Sequence, residues 1–172
     1  MNQKSISPAV SGILIALLLI VVGLIVHFAG LDANKWVQNA QYLLLAGGLF
    51  AACYQYVKQN NCNVLFCNVF AYGFKTSAAV AAITAVYSYF ALKYIMPEMV
   101  DIALDQARQA MVTQNKLTPE QIDQALSLTQ KFFIPFSIGG IIIFFLLIGV
   151  VVSLISAAVI KKKPVYNNPI EQ

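Results

Sequence analysis

Charge is scarce in this sequence. Asp, Glu, Lys and Arg make up 10% of its 172 residues, against about 25% in a typical soluble domain. Histidine and tryptophan occur once each, as His27 and Trp36, and the three cysteines, Cys53, Cys62 and Cys67, form no CxxC pair. Each shortage excludes something. Three cysteines cannot all pair, and their plain reading is free thiols in a reducing compartment. A structural zinc site needs a cluster of Cys and His that a lone histidine does not supply. Outside Lys161-Lys162-Lys163 there is no basic run, so the net charge of +4 is not a nucleic-acid footprint. Lysines in cytoplasmic loops give a membrane protein the same basic balance. General acid–base work needs groups gathered in a pocket that shifts their pKa, and no local constellation supplies one. The expectation is therefore a non-enzyme with no catalytic, cofactor-binding or metal residues.

What the chain has is apolar surface. Hydrophobic residues make up 59% of it, and the mean hydropathy is +0.73. A soluble core cannot hide that much; a bilayer can. The pattern predicts one all-α membrane domain with four transmembrane helices, at about 10–30, 37–57, 72–96 and 136–160. In the first stretch, thirteen of the eighteen residues from Gly12 to Ala29 are Ile, Leu, Val or Phe. That stretch is about 27 Å long as a helix, close to the thickness of a hydrocarbon core. It exceeds the apolar core of a signal peptide and lacks a clear small-x-small cleavage site, so it reads as a retained span. Ser7 and Pro8 supply its start, and His27, near its end, reads as an interfacial side chain. After a tight polar turn from Gly30 to Lys35, Trp36 sits where an interfacial belt would place it. The second stretch centres on Leu43 to Cys53 and ends at Lys58. Gln59 to Ala71 reads as a loop in which Phe66 and Phe70 share one face as a membrane anchor. Ser77, Ala81 and Ala85 in the third stretch recur at intervals of four, as do Gly149, Ser153 and Ala157 in the fourth. Small stripes of this kind let helices approach closely.

Between the third and fourth stretches, Glu98 to Lys131 holds eight of the eighteen charged side chains. Pro97 interrupts the preceding helix. Val100, Leu104, Ala107 and Met111 then follow helical spacing, while Asp105 and Arg108, three apart, are within pairing reach. Glu98, Asp101 and Asp105 read as a solvated acidic face rather than a cation site. Thr118-Pro119-Glu120-Gln121 is a specific start signal: Thr118 caps, Pro119 takes the first position and Gln121 closes a capping box. Ile122, Leu126, Thr129 and Phe133 continue an apolar stripe. The insert at 97–134 thus reads as an amphipathic helical hairpin turning near Asn115 and bounded by Pro97 and Pro135.

The lysines orient the chain. With four spans, Lys4, Lys58, Lys75, Lys161, Lys162 and Lys163 share a side, and the positive side faces the cytoplasm. Both termini are then cytoplasmic, 161–172 is a cytoplasmic tail, and the hairpin is extracytoplasmic. Trp36, Lys58 and the three C-terminal lysines anchor this topology.

The run Leu65-Phe66-Cys67-Asn68-Val69-Phe70-Ala71-Tyr72-Gly73-Phe74, the Leu117–Ile122 segment and the Lys-rich end after Ile155 resemble a bacterial membrane-protein family catalogued as domain of unknown function 4199. Members of that family usually carry a small polar residue where Cys67 stands. The resemblance covers nearly the whole chain, implies the inner membrane of Bacteroidota, and carries over no site residues. The expected role is structural or accessory. Its partners are the lipid bilayer and, through 97–134, either a second copy or another membrane or envelope protein. The alternative is a small oligomeric transporter or channel component, although such pumps generally bury an ionisable group within a span, and Lys75, Lys93 and His27 all fall near span ends.

Overall fold

A computed structural model describes residues 6–31, 35–113 and 118–160. The hairpin turn near Asn115, the anchors Lys161, Lys162 and Lys163, and the tail lie outside them. Among the described residues all regular structure is helical.

Helix α1, Pro8–Phe28, begins as its sequence dictates, with the Ser7 hydroxyl accepting from the Val10 amide at 3.3 Å and proline in the first turn. It ends on Gly30 at φ +66°. The Leu31 amide donates to Val26 O and the Gly30 amide to His27 O, a Schellman pair that needs a left-handed residue at Gly30. Helix α2, Lys35–Gln59, ends the same way with asparagine in glycine's place. Asn61 has φ 52°, and Cys62 N donates to Val57 O at 2.9 Å.

Helix α3, Phe66–Phe90, starts six residues before the expected Tyr72. The loop before it is correspondingly short, and Phe66 and Phe70 belong to the helix itself rather than to a separate anchor. No Ser, Thr or Asp cap marks this start, which explains why the sequence understates it. At its far end α3 widens into a π-helical turn, Ala91–Ile95, closed by Met96 N donating to Ala91 O at 2.8 Å. Pro97 is the cause. It disfavours α geometry in the residue before it, and Met96 sits at φ −135°.

Helix α4 covers Glu98–Thr113, and α5 covers Pro119–Val159 without interruption for 41 residues. Pro135 is therefore not a boundary between two helices. It sits inside one. An interior proline costs about 3 kcal/mol and one hydrogen bond. Ending the helix there would orphan about four carbonyls and four amides amid apolar side chains, which costs more.

Three helices are long and apolar enough to cross a membrane: α1, α3 with its π turn, and α5. Helix α2 is long enough, about 36 Å at 1.5 Å per residue. Its hydropathy is diluted by polar residues near both ends, Gln38, Asn39 and Gln41 at one and Gln55 and Lys58 at the other. Four spans are thus not evident from length and hydropathy alone.

The described residues form two compact units, one within 1–83 and 144–172 and the other within 84–143. In the first, α1, α2, α3 and α5 all contribute to the core. Ala16, Leu45, Leu49 and Val80 form one cluster, packed against Ile15, Phe145 and Ile148. Cys53, Val57, Val69, Tyr72, Ala157 and Ile160 belong to the other.

Candidate functional site

The two small-residue stripes lie in buried positions. Ser77, Ala81 and Ala85 on α3 are buried, as are Gly149, Ser153 and Ala157 on α5. Within the first unit, Ser77 and Gly149 touch so closely that a Cβ added at Gly149 would land on the Ser77 Cβ and Oγ. The Ser77 hydroxyl donates to the Phe145 carbonyl at 2.8 Å, a hydrogen bond from one helix to the backbone of another. In an apolar setting such a bond holds helices together where hydrophobicity cannot.

The α3 stripe also extends one turn earlier than the sequence suggests. A Cβ at Gly73 would lie 2.8 Å from Cys53 Sγ and 2.9 Å from Ser153 Cβ. The same four-residue spacing, 73–77–81–85, reveals Gly73 once the helix start is placed at Phe66. A second close approach has no signature in the sequence. A Cβ at Gly12 of α1 would meet Ala79 Cβ at 2.6 Å and the Thr76 carbonyl oxygen at 2.9 Å. Ser153 Oγ is buried and has no hydrogen-bond partner among the described residues. Thr76 turns its hydroxyl back to Tyr72 O at 2.9 Å.

At the end of this seam a polar clamp holds the start of α1. The Tyr72 hydroxyl lies 2.8 Å from Ser11 Oγ and donates to the Ile6 carbonyl at 3.1 Å. The Ile6 amide donates to Gln59 Oε1 at 2.9 Å. Tyr56 stacks on Tyr72 with ring centroids 4.2 Å apart. The clamp joins three helices through side chains that lie far apart in sequence, so spacing alone could not reveal it.

Alongside the apolar core, glycine, serine and threonine occupy the closest helix contacts, and large apolar side chains lie on the outside of α1 and α5. On α1 the buried residues are Ser11, Gly12 and Ala16, while Leu14, Leu17, Val21 and Ile25 are half or more exposed. On α5, Leu147, Val151, Ile155 and Val159 are exposed while Ser153 and Ser156 are fully buried. Water would penalise so much contiguous apolar surface.

In the second unit, Glu98, Asp101, Asp105 and Asp123 are exposed. Arg108 pairs with Asp123 of α5, although the sequence puts Asp105 within reach on its own helix. Both partners are more than half exposed, so this bond positions more than it stabilises. Val100, Leu104, Ala107 and Met111 are half-buried, and Ile122 is buried. The capping box forms reciprocally: Thr118 N donates to Gln121 Oε1 at 3.0 Å, and Gln121 N to Thr118 Oγ1 at 3.4 Å. Lys93 donates to the Tyr89 hydroxyl at 3.4 Å and lies over the Tyr94 ring. His27 meets Phe28 edge to face. Trp36 and Lys58 are exposed. Among the described residues no group of three His, Cys, Asp or Glu side chains is placed to hold a metal.

No curated protein and no solved structure matches the chain. The family described as "Protein of unknown function (DUF4199)" matches residues 11–162, in keeping with the resemblance carried by the Leu65–Phe74 run, and the chain belongs to that family.

Proposed function

We propose that this chain is a four-span protein of the bacterial inner membrane whose work is contact rather than catalysis. One observation carries the membrane part: rows of large apolar side chains on α1 and α5 face outward, while the closest contacts between helices are made by glycines and hydroxyl side chains, the arrangement expected where lipid replaces water. Helix α2 is the fourth span in this reading, because Leu45, Leu49, Ala52 and Cys53 from its centre are buried in the same cores as α1, α3 and α5. Its polar ends suit the headgroup regions. The lysine distribution puts both termini in the cytoplasm and the 97–134 hairpin outside.

Two features support contact over chemistry. The seam is closed by Gly73 and Gly149, where even one added carbon collides, which suits a packing role for these helix faces. The 84–143 unit, by contrast, shows exposed acids beside exposed Ile102, Val112, Leu128 and Phe132. That mixture suits a surface that binds another membrane or envelope protein, or a second copy of the chain. Photo-crosslinkers placed at Ile102 and Leu128 in living cells test this. A discrete adduct with another protein supports the reading. Crosslinking to lipid and self alone would count heavily against a separate partner.

A further inference from the structure

The first unit contains an open groove of about 450 Å³, lined by Phe50, Tyr54, Val57, Lys58, Cys62 and the Val159–Ile160 end of α5. Its walls are largely apolar, and among the described residues its charged lining residue is Lys58, which is exposed at the last turn of α2. From Phe50 to Lys58 the helix rises about 12 Å, so the groove reaches from the depth of acyl chains to the level of a headgroup. The left-handed pair Asn61 and Cys62 folds the chain back sharply after α2, and Cys62 forms part of the groove wall.

In sequence, the segments that line the groove carry charge of one sign. Every Asp and Glu among the described residues lies in the other unit: Glu98, Asp101, Asp105, Glu120 and Asp123. From Ala33 to Pro97 the sequence contains no acid at all, and none occurs from Gln124 to Ile170. Immediately after Ile160, the last lining residue, the sequence continues Lys161-Lys162-Lys163. An apolar slot with a cation at its mouth and no carboxylate among its described lining residues is complementary to an anionic amphiphile.

We propose that this groove binds an anionic glycerophospholipid, with an acyl chain along Phe50, Val57 and Val159 and the headgroup phosphate at Lys58. The site rests on the membrane-spanning reading but fails separately from it. A chain that spans the bilayer and holds anionic and zwitterionic lipid equally would overturn the lipid site alone.

The test is native mass spectrometry of the full chain in mild detergent, titrated with phosphatidylglycerol or phosphatidylcholine. The wild type is expected to retain phosphatidylglycerol preferentially. Lys58→Gln is expected to weaken that binding about fivefold, the effect of one basic side chain near a lipid phosphate, and Lys58→Arg to preserve it. Val159→Trp, at a position 64% exposed, fills the groove from its rim without disturbing the core and is expected to reduce retention of both lipids. Unchanged melting temperatures certify that the variants are folded. Equal retention of the two lipids by the wild type would overturn the proposal. So would loss of binding on neutralising Lys161–Lys163 while Lys58→Gln and Val159→Trp stay within twofold of wild type, which would place the lipid on the tail instead.

Discussion

Replacing Gly149 with leucine should lower the unfolding free energy by about 3 kcal/mol, the upper part of the range for overpacking a well-filled interior. The new side chain would begin inside the volume of Ser77. Ser77 cannot swing aside freely, because it is fully buried and its hydroxyl is committed to the Phe145 carbonyl. Breaking that bond adds about 1 kcal/mol. Gly139 is the internal comparison. It sits on the same helix with nothing within 4 Å of its would-be Cβ, so Gly139→Leu should shift stability by less than about 1 kcal/mol, with helix propensity in its favour. Thermal unfolding in mild detergent, followed by circular dichroism, reads both. A double variant sharpens the result: Ser77→Gly should restore part of what Gly149→Ala loses, giving a coupling of at least about 0.5 kcal/mol. Equal losses at Gly149 and Gly139 would remove the seam from the account.

Gly12→Leu should be nearly as damaging, at about 2 to 3 kcal/mol, for a different reason. At Gly149 the obstacle is a side chain. At Gly12 it is partly the backbone of α3, since the Thr76 carbonyl oxygen would stand 2.9 Å from the added carbon. Backbone inside a helix cannot yield by rotating a bond, so α1 itself must move away, and Ala16 would leave the core with it. Gly23, three turns further along α1, meets at nearest the Gln41 amide nitrogen at 3.8 Å. Gly23→Leu should therefore be tolerated. Detergent melting temperatures separate the two glycines directly. Tolerance at both would mean that α1 is not held against α3 at all.

Much of this architecture is legible in the sequence because local rules act alone. Ser7-Pro8, Gly30 and Thr118-Pro119-Glu120-Gln121 specify helix ends through their own backbone and side-chain hydrogen bonds, and each forms as written. The stripes at 77–85 and 149–157 are legible as pattern, since helical periodicity brings every fourth residue to one face. What is not legible depends on competition between local preference and surroundings. Pro135 is a strong local breaker, yet helix continuity wins where unpaired backbone groups would sit among apolar side chains. The start of α3 at Phe66 carries no capping residue to announce it. The π turn needs both Pro97 and the helix it terminates. The Tyr72–Ser11–Ile6–Gln59 clamp and the Gly12–Thr76 approach are tertiary contacts between distant segments, and one sequence offers no measure of such distances. The lipid groove likewise needs the end of α5 laid beside α2.

In the proposed topology four helices cross the bilayer, with α2 among them although its hydropathy is the lowest of the four. Labelling with a membrane-impermeant maleimide on spheroplasts tests this most directly. The native thiols Cys62 and Cys67, half-buried and exposed respectively, report on the α2–α3 loop and the first turn of α3. Leu31→Cys and Asp101→Cys, made with Cys62 and Cys67 replaced by serine, report on the α1–α2 turn and on α4. Four spans predict that the thiols introduced by Leu31→Cys and Asp101→Cys react from outside, whereas the native Cys62 and Cys67 react only after permeabilisation. The contradicting result is Leu31→Cys reacting from the same side as the native Cys62 and Cys67, which would leave α2 on one face of the membrane and reduce the spans to three.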